Sequence, residues 1–177
     1  MQYMRPLFVL SIILYSCSND PEEVKEFVVK ENLPVETIEG AEMIHTNRGV
    51  LKFKIIANTI NRFKGVEPQL VFSNGFEVIF YNDSGLVESV LKAVNAEVNE
   101  INNIMIASNN VILISSEGKK LETEELIWDE KKNKIYTDKR VMITTEKEII
   151  KGKGFQSTPD FLQYSISNIQ GKFNLTN

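Results

Sequence analysis

One cysteine and one histidine bound the chemistry open to this chain of 177 residues. A nucleophilic triad needs a histidine beside its serine or cysteine, and a zinc site needs several thiols or imidazoles. His45, alone in the context Met43-Ile44-His45-Thr46, reads as a structural or surface residue. Adjacent carboxylates such as Glu124-Glu125 read as solvated turn and strand charges. The sequence holds no Gly-x-x-x-x-Gly-Lys-Ser/Thr loop to cradle phosphates. No catalytic residue, metal ligand or cofactor is therefore expected, and the chain is not read as an enzyme. The thiol of Cys17 is the one reactive group whose setting is informative.

Arg5 is the only charged residue among the first sixteen, and the apolar run Leu7-Phe8-Val9-Leu10-Ser11-Ile12-Ile13-Leu14-Tyr15 follows it. A basic start, a short apolar stretch and a small residue before the cysteine make a secretory signal. Leu14, Ser16 and Cys17 resemble the lipobox of bacterial lipoproteins, in which the cysteine receives lipid and becomes the new N-terminus. Tyr15 departs from the small or β-branched residue usual at its place. The rival reading is an uncleaved membrane helix. The run is shorter than the ~20 apolar residues that span a bilayer, and polar Ser18-Asn19-Asp20-Pro21-Glu22-Glu23 follows at once. A cleaved signal over residues 1–16 is the better reading, followed by an acylated cysteine and tether over residues 17–40.

Removing the signal leaves 161 residues, enough for one domain with a substantial core. Without Arg5, 19 of the 20 Lys and Arg stand against 24 Asp and Glu, a balance of −5. Such a domain is mildly acidic and carries no footprint for nucleic acid. With Cys17 acylated no thiol remains for a disulfide, so packing and backbone pairing must hold the domain together.

From Glu42 onward the chain repeats one theme, short β-rich runs separated by Asn, Gly, Asp or Lys turns. Leu51, Phe53 and Ile55 alternate with Lys52 and Lys54. Phe76, Val78 and Phe80 point one way, and Glu77, Ile79 and Tyr81 the other. Asn82-Asp83-Ser84-Gly85, Glu117-Gly118-Lys119-Lys120 and residues 129–133 are turn clusters. Residues 104–107 and 111–114, joined at Asn109-Asn110, read as a hairpin. Residues 86–98 read as strand within this series, although Val87, Val90, Leu91 and Val94 also fit a helix face with Glu88 and Lys92 as an i,i+4 pair. Turn spacing of roughly 8–12 residues predicts an all-β domain, sandwich or barrel-like. Val111, Ile112, Leu113 and Ile114 are apolar on both faces, as in a stack of hairpins with one continuous interior or in a two-sheet core.

One segment carries a more specific pattern. Leu121, Thr123, Leu126 and Trp128 form an L-x-T-x-x-L-x-W run closed by a charged turn at Asp129. Ile135-Tyr136-Thr137-Asp138, Val141-Met142-Ile143, Gly152-Lys153-Gly154-Phe155 and a last run from Tyr164 to Gly171 continue it. This succession resembles the LptC family of periplasmic lipopolysaccharide-export proteins, in the lipoprotein-type form typical of Bacteroidetes-like sequences. The resemblance covers about residues 49–173 and is most specific from Leu121 onward. LptA and the N-terminal domain of LptD share a looser version.

The resemblance implies an open, twisted antiparallel β-jellyroll over residues 41–177, of about sixteen short strands, whose apolar interior carries lipid A acyl chains. It implies lipopolysaccharide as cargo, an inner-membrane ABC transporter as donor and a periplasmic bridge of LptA-like jellyrolls as acceptor. Familiar members carry a transmembrane helix where this chain has its lipobox, so membrane attachment here falls to the lipid anchor. Ser18 in place of Asp lacks the best-known inner-membrane retention signal, and Asp20, Glu22 and Glu23 resemble tracts that send some lipoproteins outward. The inner membrane is nonetheless favoured for this periplasmic, lipid-anchored chain.

Each methylene exposed to water is unfavourable by about 0.8 kcal/mol, so a multi-chain lipid needs an apolar groove. The candidate lining is Phe53, Ile55, Phe72, Phe76, Val78, Phe80, Ile104, Ile106, Val111, Leu113, Ile135, Val141, Ile143 and Phe155. Ordinary core packing accounts for each equally well, and one slip of register would invert the list. Lys119-Lys120, Lys131-Lys132-Lys134 and Lys139-Arg140 are either phosphate-facing cations or solvated loops. By resemblance the edge at about residues 49–58 faces the transporter. The edge at about residues 152–173, with Gly152, Gly154, Tyr164 and Gly171, faces the bridge. The same β domain would also serve an envelope-assembly adaptor with a filled core, or a carrier of another amphiphile.

Overall fold

The computed structural model describes residues 33–170. Alternating apolar and polar residues give ten strands there and no helix: β1 (Glu36–Asn47), β2 (Val50–Arg62), β3 (Leu70–Tyr81), β4 (Val87–Ala93), β5 (Asn95–Asn99), β6 (Ile104–Ser115), β7 (Lys120–Asp129), β8 (Lys134–Thr144), β9 (Ile149–Ser157) and β10 (Tyr164–Gln170). All pair antiparallel in one sheet of order β1-β2-β3-β4-β6-β7-β8-β9-β10, and β5 continues the lane of β4 between β3 and β6. Residues 86–98 are therefore strand, as their place in the series predicts. The jellyroll-like, all-β class read from the sequence is the one observed.

A single sheet buries its apolar face only by folding onto itself, and the sequence contains the crease. In β2, β4–β5, β7 and β9 the inward residues jump three positions at mid-strand: Ala57 to Ile60, Ala93 to Ala96, Thr123 to Leu126, Gly152 to Phe155. In β3, β6 and β8, which run the other way, they jump four: Phe72 to Phe76, Ala107 to Val111, Thr137 to Val141. Bulges mark these jumps, with register shifts at Ala57/Thr59, Ser108/Val111, Thr123/Ile127 and Thr137/Arg140. Hydrogen bonds run along the crease from lane to lane. Asn58 Nδ2 donates to the Asn74 carbonyl (2.6 Å), Gly75 N–H to Val94 (2.8 Å), Val94 N–H to Asn109 (3.0 Å) and Thr123 Oγ1 to Arg140 (2.8 Å).

The crease divides the sheet into two facing arms. Arm A ends at the β2–β3, β5–β6, β7–β8 and β9–β10 connections, and arm B at the β1–β2, β3–β4, β6–β7 and β8–β9 turns. Between them Phe72, Val78, Leu91, Leu113, Leu121, Ile135 and Ile143 are wholly buried. Each contributes roughly 1.5–3 kcal/mol by leaving water.

Three expectations are corrected. Asn109-Asn110 is not a hairpin turn, because β6 runs straight through it, pairing with β5 before it and with β4 after it. Both asparagines have positive φ (65° and 55°). Tight hairpins need the same pair of conformations, so one signal serves two structures. The described residues hold ten strands, several of them long and creased, where the resemblance implies about sixteen short ones. Finally, β1 begins at Glu36, inside the stretch assigned to the tether, and Glu36 and Thr37 pair with Arg62 and Asn61 of β2.

Candidate functional site

The two arms enclose an aromatic cluster at their mouth. Trp128 of arm A stands edge-on to two rings of arm B, Phe53 at 4.8 Å and Phe80 at 5.0 Å between centroids. His45 of β1 stacks on Phe53 at 4.6 Å. It also crosses the mouth, placing Nε2 3.7 Å from a carboxylate oxygen of Glu130. Glu130 is fixed in turn by Asn103: its N–H donates to the Asn103 carbonyl (3.1 Å) and its other oxygen accepts from Asn103 Nδ2 (3.2 Å).

Two cavities flank this cluster. One, of about 370 Å³, runs between the arms and is walled by Met43, Ile55, Leu70, Phe72, Val98 and Met105. The other, of about 640 Å³, opens at the rim among Lys52, Asn82, Asp83, Glu88 and Asn133. His45, Phe53, Trp128 and Glu130 line both.

Farther along, the mouth is closed by the loop between β9 and β10. Phe161 on that loop is wholly buried, with ring centroids 5.5 Å from both Phe155 and Tyr164. Arm B braces the loop: Ser89 Oγ donates to the Pro159 carbonyl, and Lys119 Nζ to the Leu162 carbonyl at 2.9 Å. Burial in this cluster pushes the Tyr164 phenol up, and Glu148 adds to the shift. Beside the same loop, burial pushes the Glu88 carboxyl up, with Asp160 and Asp83 reinforcing it.

The L-x-T-x-x-L-x-W run takes a physical meaning from the crease. Leu121 and Thr123 face inward with period two, Glu124 and Glu125 form the bulge, and Leu126 and Trp128 face inward again. The pattern therefore places Trp128 at the mouth. Four lysines of the expected cationic clusters are held in ion pairs, whereas Arg140 lines a separate cavity of about 880 Å³ at the crease. Lys119 pairs with Glu117 (2.8 Å), Lys120 with Glu122 (3.0 Å), Lys132 with Asp129 (2.7 Å) and Lys139 with Glu125 (3.4 Å).

Of the expected lining, Phe53, Ile55, Phe72 and Phe80 border the cavities. Phe76, Val78, Val111, Leu113, Ile135, Val141, Ile143 and Phe155 lie in the closed core. The inward placement of Ile106 is corrected. Met105 and Ala107 take the inward face of β6, so Ile106 faces outward, while Ile104 at the strand's start still borders the cavity. Four successive apolar residues give no period, and only counting through the crease from Leu113 selects the face. Sequence reasoning also missed Phe161, which sits in a loop with no pattern around it.

The edges are corrected as well. Residues 50–58 belong to β2, which pairs on both sides, and among the described residues the N-terminal edge strand is β1. Gly152 and Gly154 lie in β9, one strand inside the free edge β10, which carries Tyr164. The close approach expected at Gly152 is present, but toward the chain's own β10. A Cβ there would meet Ile166 Cγ2 at 2.4 Å and the Asn168 carbonyl oxygen at 2.8 Å. Cys17 and Gly171 lie outside the described residues. Among the described residues no group of His, Cys, Asp and Glu could hold a metal ion, and no helix is long and apolar enough to cross a membrane.

No curated protein matches the chain. A family model described as lipopolysaccharide-assembly, LptC-related, matches residues 7–160, which takes in the N-terminal apolar run, the crease and the mouth. The chain thus belongs to the LptC-related family, a carrier family of lipopolysaccharide transport in the periplasmic envelope.

Proposed function

We propose that the space between the arms receives the acyl chains of lipopolysaccharide and passes them along the sheet. The donor is an inner-membrane ABC transporter and the acceptor a bridge of similar jellyrolls. The observation that carries this reading is the apolar cavity of about 370 Å³ that opens at the mouth beside His45. Its volume lies at the lower end of small-molecule pockets, so one chain enters as the arms stand and more chains require them to part. Apolar burial is non-directional, which lets a chain slide rather than lock. Rim carboxylates at Glu100 and Glu130 disfavour phosphate, so the headgroup stays outside. Cys17, acylated, tethers the domain to the inner membrane. The unpaired backbone of β1 meets the transporter and that of β10 the bridge. Joining unlike edges propagates head to tail.

A photo-crosslinking residue at Phe72 in growing cells is expected to yield a lipopolysaccharide adduct, and one at outward-facing Ile112 none. Equal labelling at the two positions, or none, would overturn the proposal. The tight packing of Leu113, Leu121 and Ile143 favours a second reading, an adaptor with a filled core. Absence of any adduct at Phe72 selects it, and a different amphiphile captured there selects a carrier of that molecule.

A further inference from the structure

The indole of Trp128 is 6 % exposed, and its Nε1–H is buried without a hydrogen-bond partner. It is the one buried side-chain polar atom among the described residues in that condition. A buried donor left unmade destabilises a protein by the full loss of its hydration, and phenylalanine would fill the same space without it. The polar atom is thus unexplained by folding. Its surroundings point to a ligand. Trp128 lines both cavities at their junction, with apolar Phe72 and Met105 on one side and polar Lys52 and Asn133 on the other. The two rings set edge-on to it, Phe53 and Phe80, offer no lone pair.

An amphiphile has the same polarity in the same order: hydrocarbon tail, then an oxygen-bearing linkage, then a hydrated head. We propose that Trp128 Nε1–H is the anchor for that linkage. The N–H has no accessible surface as the arms stand. Parting of the arms beside His45 frees it to donate a hydrogen bond to the ester or amide carbonyl, or chain hydroxyl, at the head of an acyl chain whose tail occupies the apolar cavity. This rests on the reading that the cavity takes acyl chains, and adds which atom of the chain is held and where it stops. An otherwise slippery apolar groove acquires one fixed register by this contact. Plain alkyl chains would enter without pausing, and acyl chains would dwell.

Trp128 is the only tryptophan of the chain, so its indole resonance can be followed without ambiguity. The full chain, labelled with ¹⁵N at the indole and held in phosphatidylcholine nanodiscs, is titrated with two lysophosphatidylethanolamines of equal chain length. One is ester-linked and the other ether-linked, lacking only the carbonyl. The ester probe is expected to move the indole proton downfield, and the ether probe to leave it in place while perturbing the Met43 and Met105 methyls equally. Trp128→Phe is expected to weaken the ester probe about 2- to 10-fold, the range of one neutral hydrogen bond, with no change for the ether probe. Cavity methyls that respond to both probes over a stationary indole would overturn the anchor and leave the cavity reading intact. Methyls that respond to neither probe would remove the cavity reading and the anchor together. The indole shift in the unsubstituted chain keeps the test decisive if Trp128→Phe folds poorly.

Discussion

The mouth of the jellyroll is built differently on its two sides. On the His45 side the arms meet through stacked and edge-on rings, partly buried Phe53, and one imidazole–carboxylate contact of 3.7 Å, with cavities left on both flanks. On the Phe161 side a loop folds back between the arms and fills the gap with a wholly buried phenylalanine. Both sides use aromatic residues: Trp128 and Phe80 are buried on the His45 side, yet Phe53 there borders open space, whereas Phe161 fills its gap completely. With one cysteine in the sequence no disulfide can form within the chain, so packing carries the fold and a gap left in it is informative. The denser packing of the Phe161 side is expected to contribute more stability than the His45 side, which borders the cavities.

This contrast makes unequal demands on equal substitutions. Phe161→Ala empties a fully packed position, and deletion of a buried phenylalanine destabilises by about 3–5 kcal/mol. Phe53→Ala removes a ring that already borders open space, with an expected loss of about 1–2 kcal/mol, below the value for full burial. Urea unfolding of the two variants measures the difference. Equal losses would mean that the two sides are packed alike and that the cavities play no part in setting stability.

Gly152→Arg tests the closed side from its edge. Its Cβ would strike Ile166 and the backbone of Asn168, and backbone cannot step aside as a side-chain tip can. Either β10 separates from β9 or β9 bends. Overpacking of this kind destabilises by about 1–3 kcal/mol. The expected signs are loss of amide protection confined to β10, early proteolysis there, and impaired lipopolysaccharide export in cells. Full protection of β10 in the variant, with normal export, would show that this edge matters for neither the fold nor handoff.

Much of this architecture is legible in sequence because it is local. The period-two faces of β3 and the turn at Asn82-Gly85 follow from residue type alone. The crease is also written there, as a step of three or four between inward residues, but reading it requires the faces on both sides of each step. Asn109-Asn110 has the chemistry of a tight turn, and only the partners of β6, distant in sequence, decide that the strand continues. β1 was hidden for a related reason. Its Glu36–Gly40 portion has one apolar residue, Ile38, and so no period, and is strand only because β2 extends to Arg62 beside it. Phe161 was invisible because loop burial depends on what the loop lands on. The mouth was legible in part, since the L-x-T-x-x-L-x-W run leads to Trp128, whereas its partners His45 and Glu130 come from opposite arms.

The two sides also differ in the groups that titrate within them, which predicts opposite responses to pH. At the His45 side, Asp129 precedes Glu130 and holds the β7–β8 turn. Its Oδ2 pairs with Lys132 Nζ at 2.7 Å and its Oδ1 accepts the Lys132 N–H at 3.0 Å. The Lys132 ammonium, and then its backbone N–H, hold the carboxyl below the usual range. A lowered acid stabilises the fold above its unfolded pKa, and that support is lost as pH falls below about 4. At the Phe161 side, burial raises the Tyr164 phenol. A raised group supports the fold below its unfolded pKa, and that support is lost as pH rises beyond about 10. Amide exchange corrected for intrinsic rates is therefore expected to show the β7–β8 turn loosening first in acid and β10 first in alkali. Asp129→Asn should flatten the acid response alone, and Tyr164→Phe the alkaline one alone. The effect is the smallest of those argued, because Lys132, which holds the Asp129 carboxyl, is largely exposed and Tyr164 is only partly buried. If one substitution flattened both limbs, the sides would unfold as one unit and their difference would be confined to the native packing.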